Sequence, residues 1–169
     1  MRPSHRLDVL AVPQSPSAAP IDELREFLRT LTEQEVLDGR GGPGPNSARW
    51  MPEGFARVRL DLPDRITLYA NRQGGFRVFC PVGSGPPITD AFVVAYTAAR
   101  GDERPDLTPI ECPTCGGRHT LGETVGRPTF RFARLALQTI DAEALLPAIS
   151  MVSELQRQIG ELAWVGVRT

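Results

Sequence analysis

The stretch FARVRLDLPDRITLYANRQGGFRVFC, residues 55–80, decides the fold class. Its apolar residues recur with a period of two. Val58, Leu60 and Leu62 alternate with Arg57, Arg59 and Asp61, the pattern of a strand buried on one side only. Pro63-Asp64 makes a turn. Ile66, Leu68 and Ala70 continue on a second strand. Asn71–Gly75 (NRQGG) reads as a hairpin loop, and Phe76, Val78 and Cys80 form a third strand. The spacing predicts a three-strand antiparallel meander.

On the N-terminal side, Arg6–Val12 predicts a short strand ended by Pro13, and residues 14–19 a linker. Pro20 sits where a first helical turn tolerates it. Ile21, Leu24, Phe27, Leu28, Leu31 and Val36 then follow helical spacing. Asp22, Glu23 and Glu26 lie where the helix dipole favours acids, and Gly39 reads as the stop. RGGPGPNS, residues 40–47, is a turn-rich loop.

On the C-terminal side, Thr89–Arg100 fits a helix or a strand. The helix reading is preferred, with Ala91, Val94, Ala95 and Ala98 inward and Gly101 at its end. GDERPDL, residues 101–107, predicts an exposed acidic loop. Phe130–Ile140 predicts a strand. Residues 141–160 predict a helix with Leu145, Leu146, Ile149, Val152, Leu155 and Ile159 on one side, its regular part delayed by Pro147. Leu162–Val167 predicts a closing strand. Together these give an α+β fold (βαββ…βαβ-like), an antiparallel sheet with two main helices on one face. The expected organisation is a single domain over 1–169 with residues 80–127 as a ribbon-like insertion.

Composition narrows the function. All 19 basic residues are arginine, and with 20 acidic residues they leave a formal charge of -1. A balanced charge argues against a general nucleic-acid coat protein. The absence of lysine removes P-loop and Schiff-base chemistry. No apolar run approaches the roughly 18 residues of a membrane span. Residues 1–20 are too short in apolar length, and too acidic at Asp8, for a secretory signal. Three cysteines do not describe a disulfide scaffold. A cytoplasmic protein is expected, and the Arg-, Ala-, Gly- and Pro-rich usage matches a GC-rich bacterial genome.

The chemistry concentrates in IECPTCGGRH, residues 110–119. Cys112 and Cys115 are spaced C-x-x-C on a glycine-bearing turn, a geometry that aims backbone N–H groups at sulfur. Cys80 ends the third strand, and His119 follows Cys115 by four positions. Cys80, Cys112, Cys115 and His119 would form a Cys3His set, a tetrahedral zinc donor set. Three other readings stand beside it. The first is a metal-free remnant with Cys80 as a small buried hydrophobe. The second is a redox dithiol, which needs a helix N-terminus where Gly116-Gly117-Arg118 instead follows. The third is a catalytic zinc with Glu111 or Glu123 as the water-activating carboxylate.

CPTCGG at 112–117 resembles the CPxCG knuckle of zinc ribbons. FCPVGSG at 79–85 resembles the first knuckle of such a ribbon, with Gly83 standing where its second thiol is expected. The resemblance covers about 40 residues and implies a structural metal without any particular activity. Gly83 leaves two outcomes: His119 completes the site, or the metal is lost. The whole pattern, a small α+β body with a central knuckle and a closing strand-helix-strand, is similar to small bacterial proteins. Toxin-neutralising immunity proteins are among them. That resemblance implies a non-enzymatic protein with no catalytic residues and a protein partner, a toxin.

A nucleic-acid alternative rests on Arg118, Arg127, Arg131 and Arg134, interleaved with Phe130 and Phe132. Such a strip can grip phosphates and stack on bases. It is also what an amphipathic strand looks like, with the phenylalanines in the core. Trp50 and Trp164 read as core or rim residues, and His5 as solvated. No G-x-S-x-G elbow or Ser-His-Asp set is present.

Overall fold

The computed structural model describes residues 6–169; the expectation for His5 lies outside them. Four strands form the main sheet: β1 (Leu7–Pro13), β2 (Arg57–Asp61), β9 (Ala136–Ile140) and β10 (Leu162–Arg168). They hydrogen-bond in the order β10-β1-β9-β2, every neighbouring pair antiparallel. Helix α1 (Ile21–Glu33) connects β1 to β2, and helix α3 (Ile149–Ile159) connects β9 to β10. Each connection skips one strand, so two split βαβ units interleave, the ferredoxin-like arrangement.

Both helices cover the same face. Leu24, Phe27 and Leu31 of α1 and Met151 and Leu155 of α3 meet Val9 and Ala11 of β1 and the wholly buried Trp50 in one apolar cluster. The opposite face of β1 is buried as well, with Leu10 and Val12 against Tyr69, Ala133, Ala136 and Val165. A strand buried on both faces reads as a continuous apolar run, which is why Val9-Leu10-Ala11-Val12 does not alternate with polar residues.

The expected meander does not form. Strands β3 (Thr67–Tyr69) and β4 (Arg77–Phe79) pair with β8 (Arg131–Ala133) and β7 (Val125–Arg127), and β2 pairs with β9. The chain therefore runs outward through β2, β3 and β4 and returns through β7, β8 and β9, each outgoing strand matched to its returning one. Asn71–Gly75 is a bend between two paired ribbons; Asn71 Oδ1 accepts the N–H groups of Gly74 and Arg168 there. Between β4 and β7 lie helix α2 (Thr89–Ala98) and the hairpin β5 (Pro109–Glu111)–β6 (Arg118–Thr120). This excursion has its own core, in which Phe92 touches Phe76, Tyr96, Phe130 and Phe132 with ring centroids 5.2–6.4 Å apart.

Element ends differ from the sequence expectation at several places. Helix α1 stops at Glu33, and Glu35 takes the left-handed conformation (φ 58°), which turns Val36 and Leu37 into the core; Gly39 is not the stop. In α2 the inward residues are Ala91, Phe92, Ala95 and Tyr96, so the expected Ala91 and Ala95 do face the core, whereas Val94 is 71% exposed and Ala98 also faces out. Helix α3 begins only at Ile149, leaving Leu145, Leu146 and Ile149 on the surface. The acidic loop is exposed over 101–104 but buries Asp106, whose carboxylate accepts two hydrogen bonds from Arg104. Among the described residues no helix is long and apolar enough to cross a membrane.

Candidate metal centre

Cys80 follows β4 directly, Cys112 follows β5, Cys115 lies in the β5–β6 turn, and His119 sits within β6 opposite Ile110. Hairpin pairing thus delivers three of the four donors, and β4 delivers the fourth. The turn is built by backbone bonds. Gly116 N–H donates to Cys112 O (2.9 Å), and Cys112 N–H donates to Gly117 O (2.9 Å). Gly116 holds φ +71°, which favours glycine. A side chain at Gly117 would begin 3.3 Å from Cys115 Sγ and 3.6 Å from His119 Nε2, so this glycine keeps the space between the donors clear.

The four donor atoms all lie within 4.8 Å of one another. His119 Nε2 is 3.2 Å from Cys115 Sγ and 3.9 Å from Cys80 Sγ. A tetrahedral zinc with the usual bond lengths sets sulfur–nitrogen edges of about 3.6 Å and sulfur–sulfur edges of about 3.8 Å. The four residues are close enough together to hold a metal ion. All three cysteines are free thiols, Cys80 and Cys112 buried and Cys115 exposed.

Backbone dipoles prepare the sulfurs for negative charge. Val82 N–H donates to Cys80 Sγ (3.4 Å), and Gly117 N–H to Cys115 Sγ (3.3 Å). Burial pushes the Cys112 thiol up, but the N–H groups of Cys115 and Thr114 and the two neighbouring thiols outweigh it and hold Cys112 down to about 7. At Cys115 the Gly117 N–H pulls the thiol down, while desolvation and the sulfurs of Cys80 and Cys112 push it up, and the net direction is upward. Each cysteine is served by the residue two positions later: Val82, Thr114 and Gly117. The glycine-bearing turn implies such N–H groups at 112–117, but the sequence does not single out Val82 at Cys80, although a signal is present. Proline occupies the next position at Cys80 and Cys112, and a residue with an N–H always occupies the one after.

The structure also places the other candidates. The dithiol sits on a β-hairpin tip rather than at a helix N-terminus. Glu123 is held below the usual carboxylate range by the N–H and hydroxyl of Thr120, which it caps. Glu111 is exposed on β5, directly across from Arg118. Neither carboxylate belongs to the donor cluster. Arg118, Arg127 and Arg134 are exposed and Arg131 is half-buried, its Nη1 donating to Phe130 O. Phe130 and Phe132 are buried in the second core, as the amphipathic-strand reading has it, so the aromatic half of the alternative base-stacking strip is not on the surface. Trp50 is core, and Trp164 is partly buried against the same cluster. Compared with known proteins, the chain matches no family model, no curated protein and no solved structure.

Proposed function

We propose that this chain is a non-enzymatic binding protein of bacterial origin whose Cys80, Cys112, Cys115 and His119 hold a structural zinc ion. The observation that carries the metal reading is the convergence of four soft and borderline donors, and no carboxylate, within 4.8 Å. Three thiolates and one imidazole suit zinc and fill its tetrahedral shell, which leaves no open position for a reacting water. The ion would tie the end of β4 to a hairpin more than 30 residues further along the chain. The test is elemental analysis of the purified protein beside Cys112→Ser and His119→Ala. One zinc per chain, lost in both variants, is expected. A wild-type protein without metal after expression in zinc-supplemented medium overturns the reading.

The partner is a protein, and by resemblance a toxin that this chain neutralises. The surface supports protein binding, since Leu145 and Ile149 are 68% and 85% exposed beside the half-exposed Leu146. Stoichiometric co-purification with a protein toxin, together with loss of toxicity, is the expected result. Turnover of a small substrate by the pure protein counts against it.

A further inference from the structure

A second site lies away from the cysteines. A cleft of about 480 Å³ opens between the start of β3 and the C-terminal end of α2, lined in part by Arg65, Arg72, Tyr96, Arg100 and Asp102. Its volume falls in the range of small-molecule sites, roughly 300–1,000 Å³. The decisive feature is how its arginines are held. Elsewhere among the described residues, Arg6, Arg25, Arg29, Arg104 and Arg157 pair with carboxylates and the other arginines do not, so what sets the cleft apart is that three unpaired guanidinium groups line one cavity. Among the described residues none of the three cleft arginines has an ion-pair partner. Arg72 donates from Nη2 to the Tyr96 hydroxyl (2.9 Å), and its guanidinium lies 5.6 Å from the Tyr96 ring centroid. Arg65 donates to the backbone carbonyl of Gly101, closing the end of α2. Both are fixed by neutral groups, so they are positioned without being neutralised. Arg100 adds a third positive charge, and Asp102 is the sole acid in the lining.

We infer that this cleft binds a phosphate-bearing small anion of the diphosphate class. Three guanidinium groups offset by one carboxylate leave a surplus of two positive charges, which matches a multiply charged anion better than a single carboxylate. Planar guanidinium forks suit phosphate oxygens in pairs. The inference does not depend on the metal centre, because no cleft residue is a metal donor.

Isothermal titration of the full-length, metal-replete chain with inorganic pyrophosphate tests it. Saturable one-to-one binding is expected, weakened at least tenfold in Arg72→Ala and in Arg100→Ala and unchanged in Arg25→Ala, a surface control on α1. Binding should also weaken as salt rises, because the groups are exposed. Circular dichroism of each variant must match the wild type; Arg100→Ala, whose side chain forms no hydrogen bond to Tyr96, serves as the check should Arg72→Ala disturb the packing of Tyr96. Absence of saturable binding, equal loss in Arg25→Ala, or citrate binding as tightly as pyrophosphate overturns the inference.

Discussion

The two halves of this molecule reach order by different means. The main sheet uses strands of seven, five, five and seven residues in β1, β2, β9 and β10, all joined in one hydrogen-bonded array under two helices. The knuckle half uses strands of three residues, joined only two at a time. An isolated two-stranded ribbon is marginal in water at best. What the second half lacks in backbone pairing is offset by an aromatic cluster, which also includes two of the four side chains that could hold a metal. The difference teaches that regular structure and cross-linking are alternative ways of fixing a chain; with a metal on the four donors, as proposed, each half would lean on one of them.

The largest expected effect comes from taking the cross-link away. Structural zinc contributes about 10–16 kcal/mol in small finger peptides, which is comparable to the whole stability of a typical domain, about 5–15 kcal/mol. Stripping the metal with a chelator under reducing conditions should therefore open the knuckle half and leave the sheet. Amide hydrogen exchange should lose protection over 78–80 and 109–120 while 7–13, 136–140 and 162–168 stay protected. Uniform protection after removal, or uniform loss, would break the comparison.

Next in size are the two cores. Phe92 is fully buried among four aromatic rings, and Leu155 is fully buried under the sheet. Phe92→Ala should cost about 3–5 kcal/mol and Leu155→Ala about 2–5 kcal/mol by denaturant unfolding. The informative readout is metal affinity. Phe92 shares its cluster with Cys80 and Cys112, so its loss should loosen the donors and weaken zinc binding by about tenfold or more, as changes behind a metal's ligands do. Leu155→Ala should leave zinc affinity unchanged. Equal effects of both on zinc would mean the halves are not separate in the sense argued here.

The same contrast explains what the sequence shows and what it hides. Period and punctuation are local, so β1, α1, α2 and β10 are legible, and so is the donor set, because C-x-x-C and the scarce histidine stand out in any context; the single strand expected over 130–140 is instead two, β8 and β9, which pair in different sheets. Partnership is not local. Val58, Leu68 and Val78 announce strands equally well whether β2, β3 and β4 pair with each other or with β9, β8 and β7. The nested pairing is decided by which apolar faces close a core, with Leu68 and Val78 meeting Phe130 and Phe132. Helix ends are hidden for a related reason. The burial of Val36 and Leu37 makes Glu35 adopt a positive φ that its side chain does not advertise. Leu145 and Leu146 fit a helical apolar stripe by spacing, yet they lie before α3 begins, on the surface.

The smallest effect expected is at Gly83, and it bears on how the cross-link is assembled. Two glycines stand close together here and differ in what they permit. A Cβ at Gly85 would lie 2.0 Å from Thr114 Cγ2, so a side chain there would force the Thr114 side chain to move. A Cβ at Gly83 would meet only Cys80 Sγ at 3.8 Å and Thr114 Cγ2 at 4.0 Å, ordinary contacts, and Gly83 is not among the residues with positive φ. Gly83→Cys in the wild-type background should therefore change stability by less than about 1 kcal/mol, as tolerated exposed substitutions do. Its consequence should appear only when the histidine is gone. His119→Ala lacks one donor and should lose zinc; His119→Ala with Gly83→Cys, kept reduced, should regain one zinc per chain through a four-thiolate set. Cobalt substitution reads the same event optically, since a four-thiolate site and a three-thiolate, one-imidazole site absorb differently. A double variant that folds, stays reduced and still takes up no metal would show that position 83 does not face the donors closely enough. Residue 119 would then be the site's fixed corner rather than one of two interchangeable ones.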